Sequence, residues 1–451
     1  MRDVLKPWQR FALGLAMSSM LAMPLWATPG DSAVDPVEEK SLELQRAMAE
    51  DTGGEAKKQG DGGGQSSLRK ALERLTIHGY LTQAYAEGSF VDGGPVTDEL
   101  ALGIPEDGTT AYRNLAIQFR YEISDRDIMV VQFSSRSLGD TPGEELEDDV
   151  ELDWAFYERR LTDNTSIKLG RVQIPLGIFN EIRDVGTLLP FYRPAYTFYN
   201  EGTFTSETID GVVLSHTFFP LSEWALEADV YYGEYDLVEL AIGAAAPAAI
   251  ATSEDAIGFQ LWLNTPVDGL RFGVGAEEHD TVGGQEGFVR PVDGNAKVDS
   301  YHLSLDYAGE KFVVRSEFRS ETLEETSVLF EIPRDDFYVQ VGYHFTDAFR
   351  VYAQYEERTS DFDRGSIQNV TGLPVISGST DIDAREDIGF ALNYLFAPNL
   401  VLKLEYHQVE AGQLLLNPVF VPEFPFPIGF DASQLSFEDG DYWILSFSAS
   451  F

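Results

Sequence analysis

The chain has 451 residues, no cysteine, 32 Lys and Arg against 75 Asp and Glu, 12% aromatics and 40 glycines. A formal charge of −43 leaves no basic surface to neutralise phosphates, which excludes a nucleic-acid binder. The absence of thiols removes disulfide frameworks and thiolate metal sites, and 43% apolar residues is slightly low for a packed globular interior.

Arg2, Lys6 and Arg10 precede the apolar run Phe11–Met23, and Pro24-Leu25-Trp26-Ala27 follows. This charged–apolar–small order reads as a secretory signal over residues 1–27, cleaved after Ala27; the apolar run is too short to span a bilayer as a helix. Residues 28–74 read as a periplasmic tail: helix-like Glu38–Glu50, a glycine-rich flexible linker over 53–64, and a further helical turn or two over Ser67–Leu75.

From Leu75 the period is two. Leu115, Ile117, Phe119, Tyr121 and Ile123 interleave with Asn114, Gln118, Arg120 and Glu122; Ile388, Phe390, Leu392, Tyr394 and Phe396 interleave with Asp387 and Asn393. A helix would smear such a set around its axis, whereas a strand places it on one face. Sixteen such runs are expected, near 76–86, 112–123, 127–136, 150–161, 165–174, 207–218, 223–233, 255–264, 269–279, 297–307, 310–321, 335–345, 348–358, 384–396, 399–410 and 441–451. Short turns alternate with longer loops of roughly 12 to 32 residues, as in an up-and-down transmembrane barrel with both chain ends at the short-turn rim. A soluble sandwich would not explain that alternation of loop lengths. The expectation is therefore an all-β fold, a 16-stranded antiparallel barrel over 75–451 behind a short helical or disordered N-terminal tail. The apolar stretch Val419–Phe430 is read as an outer loop, since its prolines block a ladder.

The last run carries Trp443, Leu445, Phe447, Ala449 and Phe451 on one face and serines on the other. This strand resembles the insertion signal of Gram-negative outer-membrane barrels. The whole span 75–451 is similar to the porin superfamily, and Leu152–Phe156, Leu169–Val172 and Pro175–Asp184 resemble a segment of porin-like proteins of proteobacteria. The resemblance implies an outer-membrane location among lipids and lipopolysaccharide, insertion by the barrel-assembly machinery, a homotrimer, and a third long loop that folds into the lumen.

A sixteen-stranded barrel is too wide for its inward side chains to fill, so a water channel is expected, narrowed by the third long loop, Pro175–Ser206. Its candidate constriction residues are Glu181, Arg183, Asp184, Arg193, Tyr196 and Glu201. Strand parity places Arg120, Glu227, Asp229, Arg271, Arg315, Arg319, Arg350 and Lys403 on the lumen wall. Facing acids and bases produce a transverse field, and the acid excess leads us to expect weak cation preference. The arginines leave open a specific channel for phosphate or carboxylates, and the loop aromatics one for saccharides. The run Glu144–Asp149 is read as a solvated charge run rather than a calcium loop.

None of the six histidines (His78, His216, His279, His302, His344, His407) lies in a nucleophile or metal motif, so neither an enzyme nor a cofactor is expected. The function expected is passive diffusion of small hydrophilic solutes. A structural or adhesion barrel without transport is the alternative of another class.

Overall fold

A sheet with one apolar face can rest in lipid only if every backbone group is paired, and that requires its edges to meet. The computed structural model describes residues 69, 72–90, 102–139, 150–199, 207–221, 223–239, 249–283, 296–325, 330–359, 361–362, 380–381, 383–419 and 429–451. In it the edges do meet, and sixteen antiparallel strands close into a barrel. They are β1 (Leu75–Phe90), β2 (Thr109–Ser124), β3 (Asp127–Leu138), β4 (Glu151–Thr162), β5 (Thr165–Gln173), β6 (Thr208–Leu221), β7 (Trp224–Glu239) and β8 (Ala249–Asn264). The second half comprises β9 (Leu270–Gly283), β10 (Ala296–Ala308), β11 (Phe312–Glu325), β12 (Phe330–His344), β13 (Phe349–Thr359), β14 (Asp383–Ala397), β15 (Leu400–Val419) and β16 (Gly429–Ser450). Each strand pairs with its sequence neighbours, and β1 pairs with β16 from Tyr80↔Ser450 to Phe90↔Gly440.

All sixteen expected runs are strands, and their parity holds except on β4, where a bulge opposite Gln132/Phe133 shifts the phase. On β14 the outward Phe390 is 52% exposed while the inward Asp387 is 1% exposed. The outward row of β16 runs from Trp443 to Phe451, about 26 Å of strand, or about 20 Å along the membrane normal at a 40° tilt. That approaches the height of an apolar barrel belt. Aromatic rings bound the belt near the short-turn rim, with Phe312–Tyr343 and Tyr343–Phe345 centroids 4.9 and 4.8 Å apart. Toward the other rim, outward tyrosines donate to carboxylates, as Tyr85 does to Glu87 at 2.7 Å and Tyr406 to Asp441 at 3.4 Å. Such amphipathic rings suit an interface where one end is apolar and the other wet.

The seam has a local fit. Gly79 and Phe451 exchange backbone hydrogen bonds of 3.0 and 2.9 Å. A Cβ on Gly79 would come within 2.6 Å of the Phe451 ring, so the ring fills the space that a side chain would take.

Two expectations about the long-loop rim are corrected. The connection between β11 and β12 shortens to 326–329, and β12 passes through Pro333. The stretch Val419–Phe430 is not wholly loop: β15 runs to Val419, β16 starts at Gly429, and Pro418 pairs with Phe430 beyond a bulge at Leu415/Asn417. Pairing there continues without the alternation that reveals it in the sequence. A proline is tolerated next to such an irregularity. Of the tail, Glu73 N–H donates to Arg69 O at 2.9 Å in a helical turn. Residues 1–68, the run Glu144–Asp149 and residues 420–428 lie outside the described residues.

Candidate functional site

The segment between β5 and β6 runs inside the barrel. Along it, backbone groups that no helix or sheet satisfies find partners on inward side chains of the wall, as burial requires. Gly177 N–H donates to Gln260 Oε1 of β8 (3.1 Å), Ile178 N–H to Glu317 Oε1 of β11 (3.0 Å), and Thr197 N–H to Glu356 Oε2 of β13 (2.8 Å). In the other sense, Lys403 Nζ of β15 donates to Phe191 O (2.7 Å) and Asn393 Nδ2 of β14 to Pro190 O (2.9 Å). Near β16, Thr187 Oγ1 donates to Ser450 Oγ at 3.1 Å. A Cβ on Gly186 would lie 2.3 Å from Thr82 Oγ1 and 2.5 Å from Ser448 Oγ, so the chain lies flat against β1 and β16 there. The segment is thus bound to the wall from β8 round to β2.

Arginines and aromatic rings reinforce the attachment. Arg315 lies 5.2 Å from the Phe179 ring centroid, Arg319 5.4 Å from Phe198, and Arg385 4.5 Å from Tyr196. Guanidinium groups over ring faces add about 1–2 kcal/mol each when desolvated. Each of these cations also meets a carboxylate: Arg315 with Asp306 (3.0 Å), Arg319 with Asp336 (2.9 Å) and Arg385 with Asp387 (3.1 Å). Glu317 gathers the Tyr199 hydroxyl, the Tyr338 hydroxyl (2.7 Å) and Ser304 Oγ (2.6 Å), in addition to the Ile178 amide. Burial and the neighbouring Glu317 carboxylate push the Tyr199 hydroxyl well above its usual range.

The base of the segment is an ion-pair cluster. Glu207 pairs with Arg136 of β3 and with Arg183 Nε at 3.4 Å, while Asp184 lies 3.6 Å from Arg136 and accepts from Asn114 Nδ2 at 2.8 Å. Burial alone would raise the Glu207 carboxyl, but Arg136 and Arg183 outweigh it and hold it at about 2. A polar crevice of about 30 Å³ beside this cluster, reaching Glu151 and Asp153, has room for about one water.

The candidate constriction residues therefore separate into groups. Arg183 and Asp184 are buried in the basal cluster. Arg193, which donates to the Tyr112 hydroxyl at 2.7 Å, and Tyr196, flanked by Arg358 and Arg385, are buried in a second cluster. Glu181 alone of the described five is exposed to the lumen, with Asp229 of β7 among the groups that feel its charge. Glu201 lies outside the described residues.

Of the wall candidates, Arg315, Arg319 and Lys403 are buried beneath the inserted segment, and Arg271 shares Asp306 with Arg315. Arg120 pairs with Glu122 at 3.1 Å toward the short-turn rim, and Arg350 stands opposite Asn393 and His344. Glu227 is exposed and Asp229 half-buried on the wall of β7. Trp443, Leu445, Phe447 and Phe451 all point outward and are exposed.

Sequence reading missed Glu207, Arg136 and Lys168. Parity identifies Lys168 as inward, next to Ser166 and Gly170, and the same count marks Arg136. Among the described residues no group of three or more His, Asp or Glu side chains is arranged to hold a metal ion.

No family model matches the sequence, and no curated protein does. Many solved structures share the fold, two of which serve as examples. Outer-membrane expressed OmpT of Vibrio cholerae is 11% identical with a TM-score of 0.50, over 84% of this chain and 98% of that one. The outer membrane channel DcaP of Acinetobacter baumannii is 9% identical with a TM-score of 0.50, over 84% of this chain and 97% of that one. What this chain shares with them is the fold, a closed antiparallel barrel.

Proposed function

We propose that this protein is an outer-membrane porin through which small hydrophilic solutes diffuse down their own gradients, with a weak preference for cations. One observation carries the reading: a closed barrel too wide to be filled by its wall holds a loop inside it, bonded to strand after strand and leaving Glu181 exposed to the lumen. Glu181, Glu227 and Asp229 raise the local concentration of cations. Arg183, Asp184, Arg193 and Tyr196 serve the constriction by holding the loop in place. The arginines that an anion track would use, Arg315 and Arg319, lie buried against Asp306 and Asp336 beneath the loop.

The reading includes no catalytic step. It also includes export on a signal removed after Ala27, insertion through the outward row ending at Phe451, and assembly of three copies among lipid and lipopolysaccharide. Deletion of residues 178–199 tests the constriction. Single-channel conductance in planar bilayers is expected to rise, and an unchanged conductance in a variant that still folds rejects the loop as the narrowing element.

A further inference from the structure

The wall of a water-filled barrel is polar on its inward face. Thr82 of β1, Asn114 of β2 and Ser446 and Ser448 of β16 follow that rule. Toward the long-loop rim the same strands change character. Val409 of β15, Tyr442 and Ile444 of β16, Ala86 of β1, Tyr112 of β2 and Leu138 of β3 are apolar or aromatic, point inward, and are at most 5% exposed.

The connection between β1 and β2 covers them. Leu102 and Ile104 are 0% exposed and belong to the same apolar cluster, together with Tyr192 and Tyr196 of the loop between β5 and β6. Glu106 and Asp107, only a few residues on, are exposed. The connection therefore dips into the barrel and turns straight out again. Gly108 N–H donates to Pro105 O at 3.1 Å and closes the turn. The dip lies close against the end of β3, where a Cβ on Gly139 would overlap the Gly103 carbonyl oxygen.

The two inserted segments meet at Tyr112. Its hydroxyl donates to Leu102 O and accepts from Arg193 Nη2 at 2.7 Å. Its ring stands edge-on to Tyr192, with centroids 5.3 Å apart, and its centroid lies 5.5 Å from the Arg193 guanidinium. A buried hydroxyl that donates to one segment and accepts from the other makes the place of each depend on the other. Its loss would take a partner from Leu102 O and from Arg193 in apolar surroundings, where an unmade hydrogen bond is costly.

We propose that residues 102–104 are a second inserted element, and that Tyr112 is the positioning residue that locks it to Tyr192–Tyr196, the tip of the constriction loop. Tyr112 is 0% exposed and so meets no solute; it acts through the tip. The effect on current rests on the porin reading, whereas the lock between the two segments does not.

Two readouts keep these apart. The chain has no cysteine, so Ala195→Cys places a single thiol on the tip, at a position that is 0% exposed. In detergent-folded protein this thiol is expected to react slowly with a maleimide, and about tenfold faster once Tyr112→Phe or Ile104→Ser is added. In planar bilayers Tyr112→Phe and Ile104→Ser, each without the cysteine, are expected to make the open-channel current noisier. The added noise is expected to vanish when residues 178–199 are also deleted, because the tip is then gone. Tyr112→Phe keeps the ring and decides the matter should Ile104→Ser not fold. Unchanged thiol reactivity in the folded variants overturns the lock. Noise that persists in the deletion background overturns the action through the tip. Faster labelling in a folded protein that passes no current at all would instead leave the lock standing and remove the porin reading.

Discussion

Glu207 ties the base of the inserted loop to the wall, and its charge is open to titration. Its carboxyl is held at about 2, against an ordinary value near 4.5, with Arg136 on the wall and Arg183 on the loop as its partners. A folded-state value below the unfolded one means that the stabilisation is fully present above about pH 4.5 and is lost as pH falls through about 2. A shift of that size corresponds to on the order of 3 kcal/mol, and the side chain is only 11% exposed, so solvent screening removes little of it. Glu207→Gln should remove this term at every pH and leave Arg183, 1% exposed, without its carboxylate. The assay is single-channel recording between pH 7 and pH 2. Wild-type current should stay quiet to about pH 4 and become noisy toward pH 2 as the loop base loosens. Glu207→Gln should be noisy already at pH 7. A quiet Glu207→Gln channel with the wild-type acid profile would refute the tether.

Two further outcomes are expected. Glu181→Gln should lower the preference for cations, seen as a reversal potential moved toward zero in a potassium chloride gradient, without altering the thermal stability of the barrel. Gly79→Val should destabilise the seam by roughly 1–3 kcal/mol, because the new side chain overlaps the Phe451 ring and Ala116 O; the measurement is the temperature at which the barrel loses its compact electrophoretic mobility.

Much of this architecture was legible because membrane burial imposes a strict rule on each strand. Residues such as Phe390 and Asp387, 52% and 1% exposed, are sorted by alternation alone. Strand ends were less legible, since Gln413–Pro418 pair with β16 although their sequence does not alternate. The wall arginines mark a deeper limit. Parity puts Arg319 and Lys168 alike on the inward face, but only the path of the loop decides which one meets water and which meets Asp336 and Phe198. Bulges add a second obstacle. The one at Gln132/Phe133 brings Asp153 within 2.7 Å of Gln132 and shifts the phase of β4, a change with no signature in residue spacing.

The uneven burial of the interior divides the inward positions by how freely they can vary. Residues such as Tyr338, Glu317 and Gln340 sit in a dense, hydrogen-bonded layer, where a changed volume or a lost acceptor is felt across the barrel. Glu227 is exposed and Lys168 half-buried, so a change there meets fewer packed neighbours. Permeability can therefore drift through substitutions at the few water-bordering inward positions while the buried ones keep the protein folded, so that relatives with the same framework can diverge in what they admit.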